Sequence, residues 1–281
     1  MKFAVLGGDE RSVCLVRRLR QDGHEVQTYG LECSQEMQGE GTHGLDEALS
    51  GVGCVVLPIP LAGKPGYLHA PFGETETPLE RVFARLPDNC PIFAGAVRPE
   101  HAALAARYGI TLTDLLTMEE LAVKNAALTA ECAVSVLIRE TNQCLTGREI
   151  LVIGAGRIGK LLGLRLKALG AEVVVSARRE SDRAWCRGLC LGTADTRELE
   201  WLLPRCSVVV NTVPSLVLSG DRLRCLPEGS LILELASLPG GVDPELARAM
   251  GHRVVIARGL PGKMAPLSAA AAIADTIYHQ I

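Results

Sequence analysis

The sequence predicts an α/β protein built on two parallel sheets, and three observations carry that expectation. Short apolar runs alternate with helical patterns through residues 1–116. A glycine-punctuated turn, Gly154-Ala155-Gly156-Arg157-Ile158-Gly159, stands between an apolar run at 149–153 and a helical pattern at 160–169. A long helical stretch at 117–141 separates the two regions. Alternating strands and helices of this kind make parallel sheets covered on both faces.

In the first region the strand-like runs are 2–6, 25–29, 54–59, 91–94 and 110–112, with helical patterns at 11–21, 79–86 and 100–108. In the last of these His101, Leu104, Ala105 and Tyr108 share one stripe, and Gly109 closes the helix. The turn Gly7-Gly8-Asp9-Glu10-Arg11 lacks a third glycine, so no second nucleotide site is expected there. Residues 61–78 break the rhythm with Gly63, Pro65, Gly66, Pro71, Gly73 and Pro78. A loop of this length leaving the carboxyl end of a strand is either a lid or a flexible insertion. His69 within it is either a proton-handling group or an ordinary loop histidine.

Residues 117–146 form a segment able to bridge two domains, with Thr117 and Glu120 spaced as a capping box. On it, Thr129 and Glu131 are expected near one another, Glu131 as a proton acceptor or else a solvated carboxylate. The domain that follows, 147–265, is organised around the glycine turn. Gly154 permits the tight turn, Gly156 leaves room for a pyrophosphate, and Gly159 lets helix pack close to strand. The helix N-terminus then meets the phosphates. After the next strand, an NAD site usually presents Asp or Glu to the ribose. Here the chain reads Ser176-Ala177-Arg178-Arg179, which favours the 2′-phosphate of NADP, with NAD possible and solvated arginines as the bland alternative. Runs at 208–210 and 231–233 lead into Asn211-Thr212-Val213-Pro214-Ser215 and Glu234-Leu235-Ala236-Ser237. These turns are expected to line the groove, with Asn211 and Thr212 on the nicotinamide ribose and Pro214 fixing the loop. A third turn, Arg258-Gly259-Leu260-Pro261-Gly262-Lys263, precedes an alanine-rich helix at 268–278; the tail 266–281 is expected to pack back on the first domain, 1–116.

The 281 residues are enough for two domains, and 48% apolar with 22% charged residues describes a globular protein. A formal charge of −3 and 4% aromatics give no reason to expect nucleic acid. No apolar run is expected to reach membrane-spanning length, and nothing resembles a signal peptide. The ten cysteines are scattered, with Cys14, Cys54, Cys132, Cys206 and Cys225 in core-like positions; no zinc set forms, and reduced thiols in a cytoplasm are expected. No histidine lies between Leu145 and Gly251, where a dehydrogenase relay would want one.

Taken together, several segments resemble the family of dipicolinate synthase A-subunits. They are Gly7-Gly8-Asp9-x-Arg11, Thr129-Ala130-Glu131, the 154–159 turn, Asn211-Thr212-Val213-Pro214-Ser215, Leu235-Ala236-Ser237-x-Pro239-Gly240-Gly241 and Gly259-Leu260-Pro261-Gly262-x-x-Ala265-Pro266. The family pattern Pro-Thr-Ala/Val-Glu-Gly reads Leu128-Thr129-Ala130-Glu131-Cys132 here, without the Pro and Gly. The resemblance implies a flavodoxin-like N-terminal domain and a Rossmann NAD(P)-binding domain, as in formate/glycerate dehydrogenase-like enzymes. It implies oxidation of a dihydrodipicolinate, from 4-hydroxytetrahydrodipicolinate, to dipicolinic acid in the mother cell of a sporulating bacterium. A flavoprotein-like B subunit is the implied partner, and a homodimer is possible. The implied substrate contacts are Gly7, Gly8, Asp9, Arg11, Thr129 and Ser237, with Glu131, Thr129 and Lys263 in catalysis. The cofactor contacts are Gly154, Gly156, Arg157, Ile158, Gly159, Ser176, Arg178, Arg179, Asn211, Thr212, Val213, Pro214, Ala236 and Ser237. A 2-hydroxy- or amino-acid dehydrogenase and a non-catalytic NADP-binding scaffold are the rival readings.

Overall fold

A computed structural model describes residues 1–37 and 44–281, which form two compact units: 1–125 with 261–281, and 126–260. The first unit opens with β1 (Lys2–Leu6), α1 (Glu10–Gln21), β2 (Glu25–Tyr29), α2 (Leu45–Ala48) and β3 (Cys54–Val56). A short hairpin, β4 (Ala62–Lys64) and β5 (Tyr67–Leu68), is followed by α3 (Leu79–Phe83), β6 (Ile92–Ala94), α4 (Pro99–Ala106) and β7 (Thr113–Asp114). The sheet order is β2-β1-β3-β6-β7, all parallel. Counted without the hairpin this is the 2-1-3-4-5 order of flavodoxin-like sheets. Phe3, between Val26 and Cys54 in the register, and Val13, Val16 and Leu19 on the inner face of α1 form one buried core.

Three local expectations change. The last strand starts at Thr113, not at 110, because Ile110 is spent on closing α4, its N–H donating to the Ala105 carbonyl (3.0 Å). The Thr117 capping box does not form: the Thr117 hydroxyl donates back to the Asp114 carbonyl (2.7 Å), and Met118 accepts the first helical bond. Residues 61–78 are not structureless. Leu61 and Leu68 are buried, the Leu61 N–H donates to Gly95 and that of Leu68 to Thr77, and the hairpin is anchored at both ends.

Helix α5 (Glu119–Thr141) supplies its first turns to one unit and the rest, from Ala126, to the other. Its 23 residues are long and apolar enough to cross a membrane by length and composition, contrary to the expectation that no run reaches that length. The stripe Ala126, Ala130, Ala133 and Leu137, at helical spacing, is buried within the protein instead.

The second unit follows as β8 (Glu149–Ile153), α6 (Arg157–Ala168), β9 (Glu172–Ala177), α7 (Glu180–Gly188) and β10 (Gly192–Asp195). It continues with β11 (Val208–Asn211), α8 (Gly220–Cys225), β12 (Leu231–Glu234), α9 (Pro244–Ala249) and β13 (Arg253–Ile256). Its order, β10-β9-β8-β11-β12-β13, is the 3-2-1-4-5-6 order of the Rossmann fold. The central strands are apolar on both faces, as a sheet covered by helices requires. The chain closes with α10 (Leu260–Met264) and α11 (Pro266–Tyr278), the latter packing Ala270, Ile273 and Ile277 into the core beneath α1.

Candidate dinucleotide site

The glycines of the 154–159 turn play three different parts. Gly154 has φ 104°, and a Cβ there would lie 2.4 Å from the Thr212 hydroxyl oxygen. Gly159 faces the Gly154 carbonyl, only 1.9 Å from where a Cβ would sit, so helix α6 touches the turn backbone to backbone. Gly156, the residue before α6, would place a Cβ in open space. That opening belongs to a cleft of about 980 Å³ at the carboxyl edge of β8, β9 and β11. Size, the vacant cradle at Gly156 and the first N–H groups of a 12-residue helix suit a pyrophosphate. Arg157 and Ile158 form the first turn of α6, beside this opening.

The far corner of the cleft is basic: Arg178, Arg179, Arg197 and Arg222 line it, against the single carboxylate Asp182. Ser176 does not belong to that lining. It is fully buried and accepts from the Thr196 hydroxyl (3.3 Å), because the strand runs two residues past the apolar run 172–175 and turns Ser176 inward. The Arg178 side chain is exposed, with no partner among the described residues, whereas Arg179 forks onto Asp182 (2.8 and 3.3 Å). Arg197 and Arg222 escaped the sequence reading because the run before Arg197, Gly192-Thr193-Ala194-Asp195, is too polar and short to announce a strand.

The turns after β11 and β12 are one hydrogen-bonded assembly. Asn211 is fully buried, its amide donating to the Val213 carbonyl (2.9 Å) and to Glu234 (2.8 Å) and accepting from the Val213 N–H. It therefore braces the loop and has no face for a ribose, which corrects the expected cofactor contact. Thr212 holds the Ile153 carbonyl through both its N–H and its hydroxyl (2.9 Å each), and with Val213 and Pro214 it lines the cleft. Glu234, 1% exposed, is the hub: beyond Asn211 it accepts from the N–H groups of Ala236 and Gly241 (2.9 Å each). Ala236 is buried and its carbonyl accepts from Arg258 (2.7 Å), while Ser237 is exposed with no hydroxyl partner among the described residues.

In the first unit, Gly7 and Gly8 cannot offer their N–H groups to a substrate. They donate to the carbonyls of Tyr29 (2.6 Å) and His69 (2.7 Å), because the hairpin segment is folded into the crevice that their turn would otherwise open. Asp9 caps α1 and accepts a fork from Arg11 (2.9 and 2.8 Å), and Arg11 also donates to the Ile59 carbonyl. Gly262 packs directly on the Arg11 guanidinium, with exposed Lys263 next in sequence. Burial works to raise the Asp9 carboxyl, but the hydrogen bonds and charge of Arg11 outweigh it and hold it below the usual range. A carboxylate lowered in this way stabilises the fold above the ordinary Asp pKa, and that contribution fades as the pH falls below about 4. Asp9→Ala is expected to cost about 2–3 kcal/mol at neutral pH by removing the cap and stranding Arg11. Urea titrations should show the gap between the two proteins narrowing in acid; a constant gap would exclude the ion pair as its cause.

Thr129 and Glu131 do not share a face. With Leu128 and Cys132 where the family pattern has Pro and Gly, α5 runs unbroken, and residues two apart on a helix point to opposite sides. Thr129 is half-buried and Glu131 exposed.

A glycine turn opening a helix, set beside a cleft of dinucleotide size in a 3-2-1-4-5-6 sheet, defines the class: an oxidoreductase that carries a nicotinamide nucleotide. Residues 126–222 match the D-isomer specific 2-hydroxyacid dehydrogenase NAD-binding domain, and residues 2–116 match the N-terminal domain of the dipicolinate synthase A-subunit. Within that class the chain resembles the dipicolinate synthase A-subunit from end to end. It is 29% identical over 280 residues to that protein of Bacillus subtilis, covering 99% of this chain and 94% of the relative. The crystal structure of the Bacillus subtilis protein superposes with TM-score 0.87 at 28% identity, covering 100% of this chain and 95% of the other. That of the Bacillus halodurans A-subunit gives 0.88 at 26% identity, covering 99% and 97%.

Proposed function

We propose that this chain oxidises a dihydrodipicolinate, formed from 4-hydroxytetrahydrodipicolinate, to dipicolinic acid, with NADP preferred over NAD. The observation that carries this reading is the full-length likeness to the dipicolinate synthase A-subunit. The basic corner of the cleft supports NADP, since guanidinium forks match phosphate oxygens. Aromatising the ring removes one hydride and one proton, so the substrate itself supplies much of the driving force. Nicotinamide, when bound, supplies the acceptor for the electron pair; the protein has only to orient the ring and take the proton.

In the second unit, the turn 154–159 holds the phosphates, Arg178 the 2′-phosphate, and Val213 and Pro214 border the cofactor. Ser237 donates to the substrate there, and exposed Glu131 takes the proton. In the first unit, Arg11 keeps Nη1 hydrogens that its Asp9 and Ile59 bonds do not use, and with Lys263 it gives that unit a cationic spot of its own. A 2-hydroxyacid dehydrogenase is the weaker reading. The second unit's histidine, His252, is buried with Nε2 on the Leu223 carbonyl, and cannot serve a substrate carbonyl.

We place the chain in the mother-cell cytoplasm of a spore former, working with a flavoprotein-like B subunit and pairing as a homodimer. The test is incubation with NADP and freshly made 4-hydroxytetrahydrodipicolinate, with and without that partner. Pyridine-dicarboxylate absorbance should rise in step with reduced cofactor. Nucleotide binding without turnover in either arm would make the chain a scaffold instead.

A further inference from the structure

We propose that Arg197, and not Arg179, is the second guanidinium that joins Arg178 in reading the adenosine 2′-phosphate. The inference rests on the NADP reading above and adds the residue that decides it. Strands β9 and β10 run side by side with Ala177 opposite Asp195, so Arg178 and the Thr196-Arg197 pair leave the sheet next to one another. All of them line the same cleft.

The two candidate arginines differ in what they leave behind when they turn to a phosphate. Arg179 forks onto Asp182, the carboxylate that itself lines the cleft. Withdrawing Arg179 strips that carboxylate of its fork beside an incoming anion. Arg197 forks onto Asp195 (3.0 and 2.6 Å), but Asp195 has a second partner, Arg183, at 2.7 Å. The Arg183 and Asp195 side chains are each only 15% exposed, against 69% for Arg197. Asp195 thus stays paired when Arg197 departs.

The backbone under Arg197 is held independently of its side chain. Its N–H donates to Asp195 (2.9 Å) and its carbonyl accepts from Arg222 (3.0 Å), which Glu200 and the Val217 carbonyl hold in turn. Arg183 also ties the Ala177 carbonyl (2.8 Å) and the Arg178 carbonyl (3.2 Å) to Asp195, so one buried guanidinium positions both walls of the corner. A recognition side chain mounted on a fixed backbone is what selective binding asks for.

Calorimetric titration of the full chain with NADP⁺ and NAD⁺ tests this. Wild type should prefer NADP⁺. Arg197→Gln should raise the NADP⁺ dissociation constant roughly 10- to 100-fold and leave NAD⁺ within about twofold. Arg197→Lys, which keeps the charge and loses the fork, should recover part of the loss, and Arg179→Gln should move the NADP⁺/NAD⁺ ratio less than Arg197→Gln does. An unchanged ratio in Arg197→Gln beside an NADP⁺-preferring wild type would overturn the assignment alone. A wild type that prefers NAD⁺ would overturn the NADP reading and this assignment with it.

Discussion

Gly156→Val is expected to leave the protein folded and to stop it binding nicotinamide nucleotide. The backbone at Gly156 has φ −74°, open to any residue, and a Cβ there meets no heavy atom within 4 Å. A Cβ there therefore adds neither strain nor clash, and the melting temperature should hold within a few degrees. The valine isopropyl group would fill the cradle that a pyrophosphate needs. We expect an affinity loss on the order of 100-fold or more for both NADP⁺ and NAD⁺. Gly159→Val is the contrasting variant: its Cβ would collide with the Gly154 carbonyl, and the second unit should fail to fold. If Gly156→Val bound nucleotide normally, the phosphates would have to lie somewhere other than this turn.

The second large effect is expected at Glu234. Replacing it with alanine leaves the N–H groups of Ala236 and Gly241 unpaired in a buried place and takes one of its two acceptors from the Asn211 amide. The cost should be about 3–5 kcal/mol, from orphaned donors rather than lost packing alone. Glu234→Gln keeps one acceptor but turns an NH₂ toward donors, and should fall between alanine and wild type. Both tryptophans, Trp185 and Trp201, lie in the second unit, so their fluorescence during urea unfolding reports on this unit. Val213 and Pro214 should lose their fixed position along with it, weakening nucleotide binding. A Glu234→Ala protein as stable as wild type would show that the two turns are held by something else.

What the sequence revealed follows from how local each interaction is. The turn at 154–159 was legible because its three glycines fall within six residues, two of them in contact with each other. Most strands of the two large sheets were legible through apolar runs such as 54–59 and 208–210. Glu234 and Asn211 were not, as a matter of role: 23 residues separate them, and each looks like an ordinary polar residue at a strand end until the sheet sets them side by side. Asp195 and Arg183 are hidden in the same way. Strands β4 and β5 are too short and too rich in glycine to show a period of two. Thr129 and Glu131, adjacent on paper, part company because a continuous helix turns by nearly 200° over two residues.

The hairpin folded over Gly7 and Gly8 makes the first unit a sheet that carries its own guest. The His69 carbonyl already holds the N–H that a diffusing anion would need, and being tethered it competes without the entropy loss of a free solute. Two sheets of kindred design therefore amount to a single coenzyme berth per polypeptide. Saturating the chain with nucleotide should exhaust one class of site, and adenosine-like inhibitors will find purchase in the second unit alone.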